Sequence, residues 1–199
     1  MNYNKIKEIK KTYFGYQDVA KVLAIGRESA KVACARFVKQ GAIVRIKRNI
    51  YILRERWQNL TIEGKFAFAN LIQVPSYVSL MTALSYYEAT TQVQRDFIES
   101  ISIHRTKSVE IDKNIFNYSK IKRPLYFGFN KEKGIFIASP EKAFLDALYL
   151  KSLQRYSFDL TSIDFGKLKT AEIKKILKKY PVKTQQLYER ECYGYLKKT

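Results

Sequence analysis

The chain has 199 residues, 46% of them hydrophobic and 14% aromatic, enough apolar material for one or two folded domains and too much for a disordered chain. Its 37 Lys+Arg against 18 Asp+Glu give a formal net charge of +19 and a pI near 9.8. That balance points to an anionic partner: nucleic acid first, then an acidic protein or a membrane surface. The charge sits at the two ends. Residues 1–56 carry +10, residues 57–164 carry +2, and residues 165–199 carry +7, so the two basic ends are expected to have their own tasks. Cys34 and Cys192 form no CxxC and no metal-ligand spacing, which fits two free thiols in a reducing cytoplasm. No apolar run approaches the roughly 18 residues of a membrane span. The opening "MNYNKIKEIKK" lacks the apolar core of a secretory leader. The expectation is a cytoplasmic protein without a membrane partner.

In chain order, residues 3–13 read as a short helix with Ile6 and Ile9 on one face. Val19, Val22 and Leu23 are spaced three and four apart, the mark of an amphipathic helix, with Gly26 closing it or the turn after it. A second helix is predicted from Glu28 to Gln40. Ala30, Cys34, Phe37 and Val38 form its apolar stripe, and Gly41 is its stop. "AIVRI" and "IYILR" then flank a turn at Lys47–Asn49 and read as a β-hairpin. Helix, helix, turn, helix and hairpin is the order of a winged helix-turn-helix, in which the helix after the turn lies in the major groove and the hairpin is the wing. The fold class expected is α+β, with a winged helix-turn-helix over residues 1–56 and a C-terminal domain of helices around a small antiparallel sheet over residues 57–199. On the predicted recognition helix, Arg27, Ser29, Lys31, Val32, Arg36 and Lys39 point away from the stripe. The first four lie near the helix start, where base edges are read, and Arg36 and Lys39 are placed for phosphates. Glu28 suits the helix dipole but repels a phosphate. On the wing, Arg45, Lys47, Arg48 and Asn49 are the candidate DNA contacts.

Beyond "RERWQN", residues 60–73 and 76–89 read as apolar helices separated by Pro75, with Ser76 as N-cap. "FIESISIH", "KSVEI" and "NIFNYSKI" read as strands. "LYFGFNKEKGIFIAS" reads as a hairpin with "NKEKG" as its turn, so the sheet is expected to be mostly antiparallel. "SPEKAFLDALYL" opens a helix with Ser139 as N-cap, Pro140 at the first helical position and Glu141 in the first turn. Residues 170–180 and 183–197 complete the chain as helices, the first carrying Lys174, Lys175, Lys178 and Lys179.

Signals for catalysis are weak. The single histidine, His104, sits beside Arg105 in a strand-like segment. No G-x-S-x-G, HExxH or phosphate-binding GxxxxGK[ST] occurs. Asp159 and Asp164 lie in a loop-like stretch, and Glu141 and Asp146 are five apart on different helix faces. Glu63-Gly64-Lys65 has an E-x-K spacing without a strand acid before it. The reading is of a protein without a catalytic role and with no cofactor and no metal.

The basic helix and hairpin followed by "YVSLMTALSYYEA", "SISIHRTKS", "YFGF" and "IFIASPEKAFLDALYL" resemble the AbiEi-type antitoxins over roughly residues 14–150. "SYVSLMTALSYY" and "SPEKAFLDALYL" are the most specific parts. The resemblance implies a bacterial regulator of an abortive-infection toxin–antitoxin operon. Its partners would be repeats, inverted or direct, in the operator DNA of its own promoter and a neighbouring nucleotidyltransferase-type toxin, opposed directly or indirectly. Both a monomer and a dimer are open. The alternative is a protein-interaction module whose basic C-terminal helices bind the toxin or the toxin's nucleic-acid substrate.

Overall fold

A computed structural model of the chain describes residues 3–196. Two compact units are present, Met1–Phe68 and Ala69–Thr199. The first holds α1 (Tyr3–Lys7), α2 (Tyr16–Leu23), α3 (Arg27–Lys39), the hairpin β1 (Ile43–Lys47) and β2 (Ile50–Leu53), and α4 (Arg54–Gln58). The boundary between the units falls within α5 (Ile62–Ile72).

α1 ends at Lys7 and not at residue 13. Ile9 and Lys11 give their carbonyls to the Arg56 guanidinium at 2.8 and 2.6 Å, so the backbone there is satisfied without a helix. α2 ends where Ala24 takes a left-handed conformation with φ 53°, a position usually given to glycine. Gly26 instead precedes α3 as its N-cap. At the other end of α3 the expected stop holds. Gly41 has φ 71°, its N–H donates to Val38 O, and the Ala42 N–H donates to Phe37 O, both at 2.9 Å. That pair of bonds is a Schellman motif. The α3 stripe, Ala30, Ala33, Cys34 and Phe37, is buried against Ile6, Phe14, Val19, Ile43 and Tyr51. Each large apolar side chain in such a cluster contributes roughly 1.5–3 kcal/mol. The hairpin register runs Ile43↔Leu53 to Lys47↔Ile50, with a bulge between Arg45 and Lys47.

The second unit is built on a six-stranded sheet. Its parts in chain order are β3 (Ser76–Val78), α6 (Leu80–Tyr86), β4 (Phe97–Ser102), β5 (Lys107–Ile111), β6 (Asn114–Lys120), β7 (Phe129–Glu132), β8 (Ile135–Ala138), α7 (Pro140–Ser152), α8 (Thr170–Leu177) and α9 (Val182–Leu196). The strand order is β5-β6-β4-β3-β8-β7.

Several expectations are corrected here. The sheet is mixed and larger than predicted, because β4 runs parallel to β6 and β3 parallel to β8. β5 turns back on β6 at the sheet edge, which returns β6 alongside β4 in the same direction. Residues 76–89 are not one helix. Ser76–Val78 form a central strand between β4 and β8, and Ser79 precedes the helix. Their apolar content suits a strand buried on both faces as well as a helix, and three residues carry no period to separate the two. The "NKEKG" turn is shorter than expected. Asn130, Lys131 and Glu132 belong to β7, and the reversal falls on Lys133 and Gly134, with φ 49° and 86°. Two successive positive φ values match the twist of a tight hairpin. The 170–180 helix stops at Leu177, and the predicted end of the last helix at residue 197 lies outside the described residues. α7 is as expected: Ser139 Oγ accepts from the Lys142 N–H at 3.2 Å with Pro140 in the first turn. It is buried on every side from Glu141 to Leu150.

Candidate nucleic-acid interface

Tyr16, at the start of α2, is the junction of the first unit. Its backbone N–H donates to Asn49 Oδ1 at 2.7 Å, and its hydroxyl accepts from Tyr51 at 3.1 Å. The ammonium of Lys31 lies 6.0 Å over its ring. One residue therefore links α2, α3 and the hairpin. Asp18 fixes this helix start by accepting from the Gly15 N–H at 2.9 Å, and it pairs with Lys11 at 2.5 Å.

The candidate residues on α3 fall on two flanks of its exposed surface. Ser29, Val32, Arg36 and Lys39 follow one another at spacings of three and four and share one line. All four are exposed, and Val32 is exposed to 52% despite being apolar. Arg27 and Lys31, four apart, form the flank toward α2. Arg27 is exposed, whereas Lys31 is half-buried and pairs with Glu28 at 2.6 Å. The Lys31 ammonium holds the Glu28 carboxyl below its ordinary pKa. Glu28 and Ala35 occupy the strip between the flanks, and both are exposed.

On the hairpin, Arg45 and Arg48 are exposed and Lys47 is half-buried. Val44 and Ile46 are buried on the opposite face of β1 from Arg45. Asn49 differs in kind from its neighbours. Its φ is 60°, Oδ1 accepts from Tyr16, and Nδ2 donates to Gln17 Oε1 at 3.4 Å. Its side chain thus anchors the turn to α2.

Two arginines of this region are committed to backbone carbonyls, and one exposed lysine is paired at the surface. Arg54 donates to Gly41 O at 2.6 Å, Arg56 to Ile9 and Lys11, and Lys7 pairs with Glu55 at 3.0 Å. Lys5, Lys10 and Lys21 are exposed elsewhere in the unit, whereas its exposed arginines, Arg27, Arg36, Arg45 and Arg48, are all on α3 and the hairpin. Sequence reasoning missed Tyr16 and Gln17. The "GYQD" that holds them does carry a signal, an acid three residues after the glycine that precedes the helix.

Three of the remaining titratable candidates have structural partners. Asp159 accepts from Thr161 N and Oγ1, and Asp164 accepts from Gly166 N, so each caps a short 3-10 turn. Glu141 accepts from the Lys169 N–H at 3.1 Å. Glu63 lies in the first turn of α5, and His104 is exposed in a bend just past β4, not in the strand expected for it. Burial raises the thiol of Cys34 to about 11 and that of Cys192 to about 12. Among the described residues no group of three His, Cys, Asp or Glu is placed to hold a metal ion. No described helix is long and apolar enough to cross a membrane. No protein-family model matches the chain, and no curated protein matches it.

Proposed function

We propose that the first unit is a winged helix-turn-helix and that the protein is a sequence-specific DNA-binding repressor of its own operon. In this reading α2 and α3 are the helix pair, joined by Ala24, Ile25 and Gly26, and the β1–β2 hairpin is the wing. The observation that carries the reading is the placement of exposed cations. Arg27, Arg36 and Lys39 on α3 and Arg45 and Arg48 on the hairpin stand outward, while Arg54 and Arg56 of the same stretch are consumed by backbone carbonyls. A surface built only for solubility has no need of that sorting. Arg27, Ser29, Lys31 and Val32, near the start of α3, read base edges. Arg36, Lys39 and the hairpin cations hold phosphates.

The resemblance to AbiEi-type antitoxins adds a second task to the proposal: opposing a nucleotidyltransferase-type toxin encoded beside it. The stretch from α8 to the start of α9 is the part of the second unit suited to an acidic partner, with Lys174, Lys175, Lys178 and Lys183 outward. Removing α8 and α9 wholesale is not a clean test, since Ile173, Tyr180, Thr184 and Cys192 are core residues. Exchange of the exposed lysines for glutamine is the better probe of toxin rescue.

Binding to the DNA upstream of the gene, measured by mobility shift against salt, tests the main reading. With about six phosphates neutralised, log affinity should fall against log salt with a slope near −5. Equal affinity for random duplex of the same length would overturn the repressor claim.

A further inference from the structure

The second unit contains an open depression of about 750 Å³ between the β4–β6 part of the sheet and the C-terminal end of α7. Its chemistry differs from that of the first unit. Phe97 and Tyr156, both half-buried, supply aromatic surface, and Gln94, Asn117 and Gln154 supply amides. Lys151 and Arg155 supply positive charge at the rim. A smaller depression of about 350 Å³ adjoins it, sharing Lys151 and Gln154 and adding Lys183 and Arg190 from α9.

The floor is rigidly held. The Glu99 carboxylate is only 1% exposed at the level of the residue, and it accepts from Tyr156 Oη at 3.0 Å, from Gln94, and from the backbone N–H groups of Met81 and Thr82. Thr82 Oγ1 donates to Gln94 Oε1 at 3.1 Å, which orients that amide. Glu99 is therefore a positioning residue: it sets Tyr156 and Gln94 and has no free face for a ligand.

The cations are only partly neutralised. Glu191 pairs with Lys151 at 2.9 Å and with Arg190 at 3.0 Å. Arg155 is held by two neutral acceptors, Thr106 Oγ1 at 3.0 Å and Lys120 O at 3.3 Å. Its position is fixed while its charge is left for a ligand.

We propose that this depression binds a nucleoside phosphate, with the base against Phe97 and Tyr156, its edge read by the amides, and the phosphate at Arg155 and Lys151. Stacking surface, amide donors and acceptors, and a fixed guanidinium are the three elements that base, edge and phosphate require. An acidic peptide would use the cations and leave the aromatic surface and the amides without a role. The shared chemistry has two sources, a free nucleotide or one residue of a single strand continuing toward Lys183 and Arg190.

The test is calorimetric titration of the full chain with ATP, GTP and UMP, and with unstructured eight-residue RNA and DNA single strands. Saturable binding of a mononucleotide assigns the free ligand; binding of single strands alone assigns the chain. Either supports the site provided Arg155→Ala weakens it by about fivefold or more. Phe97→Leu keeps an apolar side chain and should weaken binding by a similar factor; unchanged melting of both variants excludes misfolding as the cause. No binding of any of these probes overturns the proposal. So does binding indifferent to Arg155→Ala, or equal competition by polyglutamate, which would make the depression a general anion surface. Because the probes are not operator duplex, a negative result here leaves the reading of the first unit standing.

Discussion

Asn49 Oδ1 accepts the backbone N–H of Tyr16 at 2.7 Å, across 33 residues of sequence. The bond ties the hairpin turn to the first turn of α2, and Gly15 is what lets the two segments come so close. A Cβ at Gly15 would stand 2.9 Å from Asn49 Oδ1 and 3.0 Å from its backbone oxygen. Gly15 has φ −120°, so backbone conformation is not the reason for glycine here. The reason is steric. Gly15→Ala should therefore destabilise the first unit by about 1–3 kcal/mol, the usual range for overpacking. It should also displace the hairpin tip and weaken duplex binding more than the stability loss explains. Denaturant melts paired with mobility shifts on the folded fraction check this. A variant that melts like the parent would show that the turn does not need the close approach.

Arg48 and Arg56 are both arginines of the same basic segment with opposite assignments. Arg48 is exposed on the hairpin turn, whereas Arg56 Nη1 donates to the carbonyls of Ile9 and Lys11. Arg48→Glu should leave the melting curve within about 0.5 kcal/mol of the parent, as exposed surface changes usually do. It should also weaken binding to any duplex and flatten the salt slope by about one unit for each phosphate that is no longer neutralised. Arg56→Glu should do the reverse, lowering stability by leaving two carbonyls without their donor. Circular dichroism melts and a salt series on each variant separate the two. Loss of DNA binding without loss of stability at Arg56 would contradict the sorting of cations on which the proposed function rests.

How far these roles were legible in the sequence depends on the kind of interaction. The α3 stripe and the Gly41 stop were readable because helix periodicity and the Schellman glycine are local. Ser139 as N-cap was readable for the same reason. β3 was not. Three buried residues between two partner strands have no period of their own, and the strand exists because β4 and β8 flank it. Of the two readings of Gly26, the structure has the one in which it closes the turn after α2, because Ala24 takes the left-handed conformation that ends the helix and that glycine usually signals. The commitment of Arg54 and Arg56 to carbonyls, and of Asn49 to Tyr16, is tertiary. In the sequence they look like their exposed neighbours, so the basic segment was legible as a whole but not residue by residue.

Lys142 and Asp146 show the same limit in the second unit. Their spacing of four places them on one side of α7, an arrangement common for ion pairs on exposed helix surfaces. Both side chains are instead wholly buried and joined to each other. Tyr77, Ser79 and Tyr180 each donate to the Asp146 carboxylate at 2.9 Å. Lys142 lies among the rings of Tyr77, Phe127 and Tyr180 at 5.0–5.6 Å from their centroids. Burial holds its ammonium below the ordinary lysine pKa, against the opposing pull of Asp146. Removing one partner strands the other charge, so Lys142→Met alone and Asp146→Leu alone should each cost about 3–5 kcal/mol. The double variant should cost well under their sum, because neither charge is then left buried. Urea melts on the four proteins give the coupling energy directly. Additive costs would mean that the pair is not coupled and that the surrounding hydroxyls carry the site.

Glu99 makes stability depend on pH in a direction opposite to that of a surface carboxylate. Burial pushes its carboxyl from 4.5 up to about 7, although Tyr156, Gln94 and the N–H groups of Met81 and Thr82 favour the charged form. Lys151 and Arg155 line the same depression. Between 4.5 and about 7 the native state holds a proton that the unfolded chain has already released. Stability must then fall as pH rises through that window. The favourable contribution is complete below the unfolded value and lost above the folded one, and its size is at most on the order of 3 kcal/mol at about 1.4 kcal/mol per unit. Glu99→Gln keeps the shape and removes the titration. The difference in urea midpoint between variant and parent should therefore shift in favour of the variant as pH is raised from about 4.5 to about 7. A difference that stays constant across this range would show that Glu99 titrates normally and that its burial is relieved by solvent entering the depression.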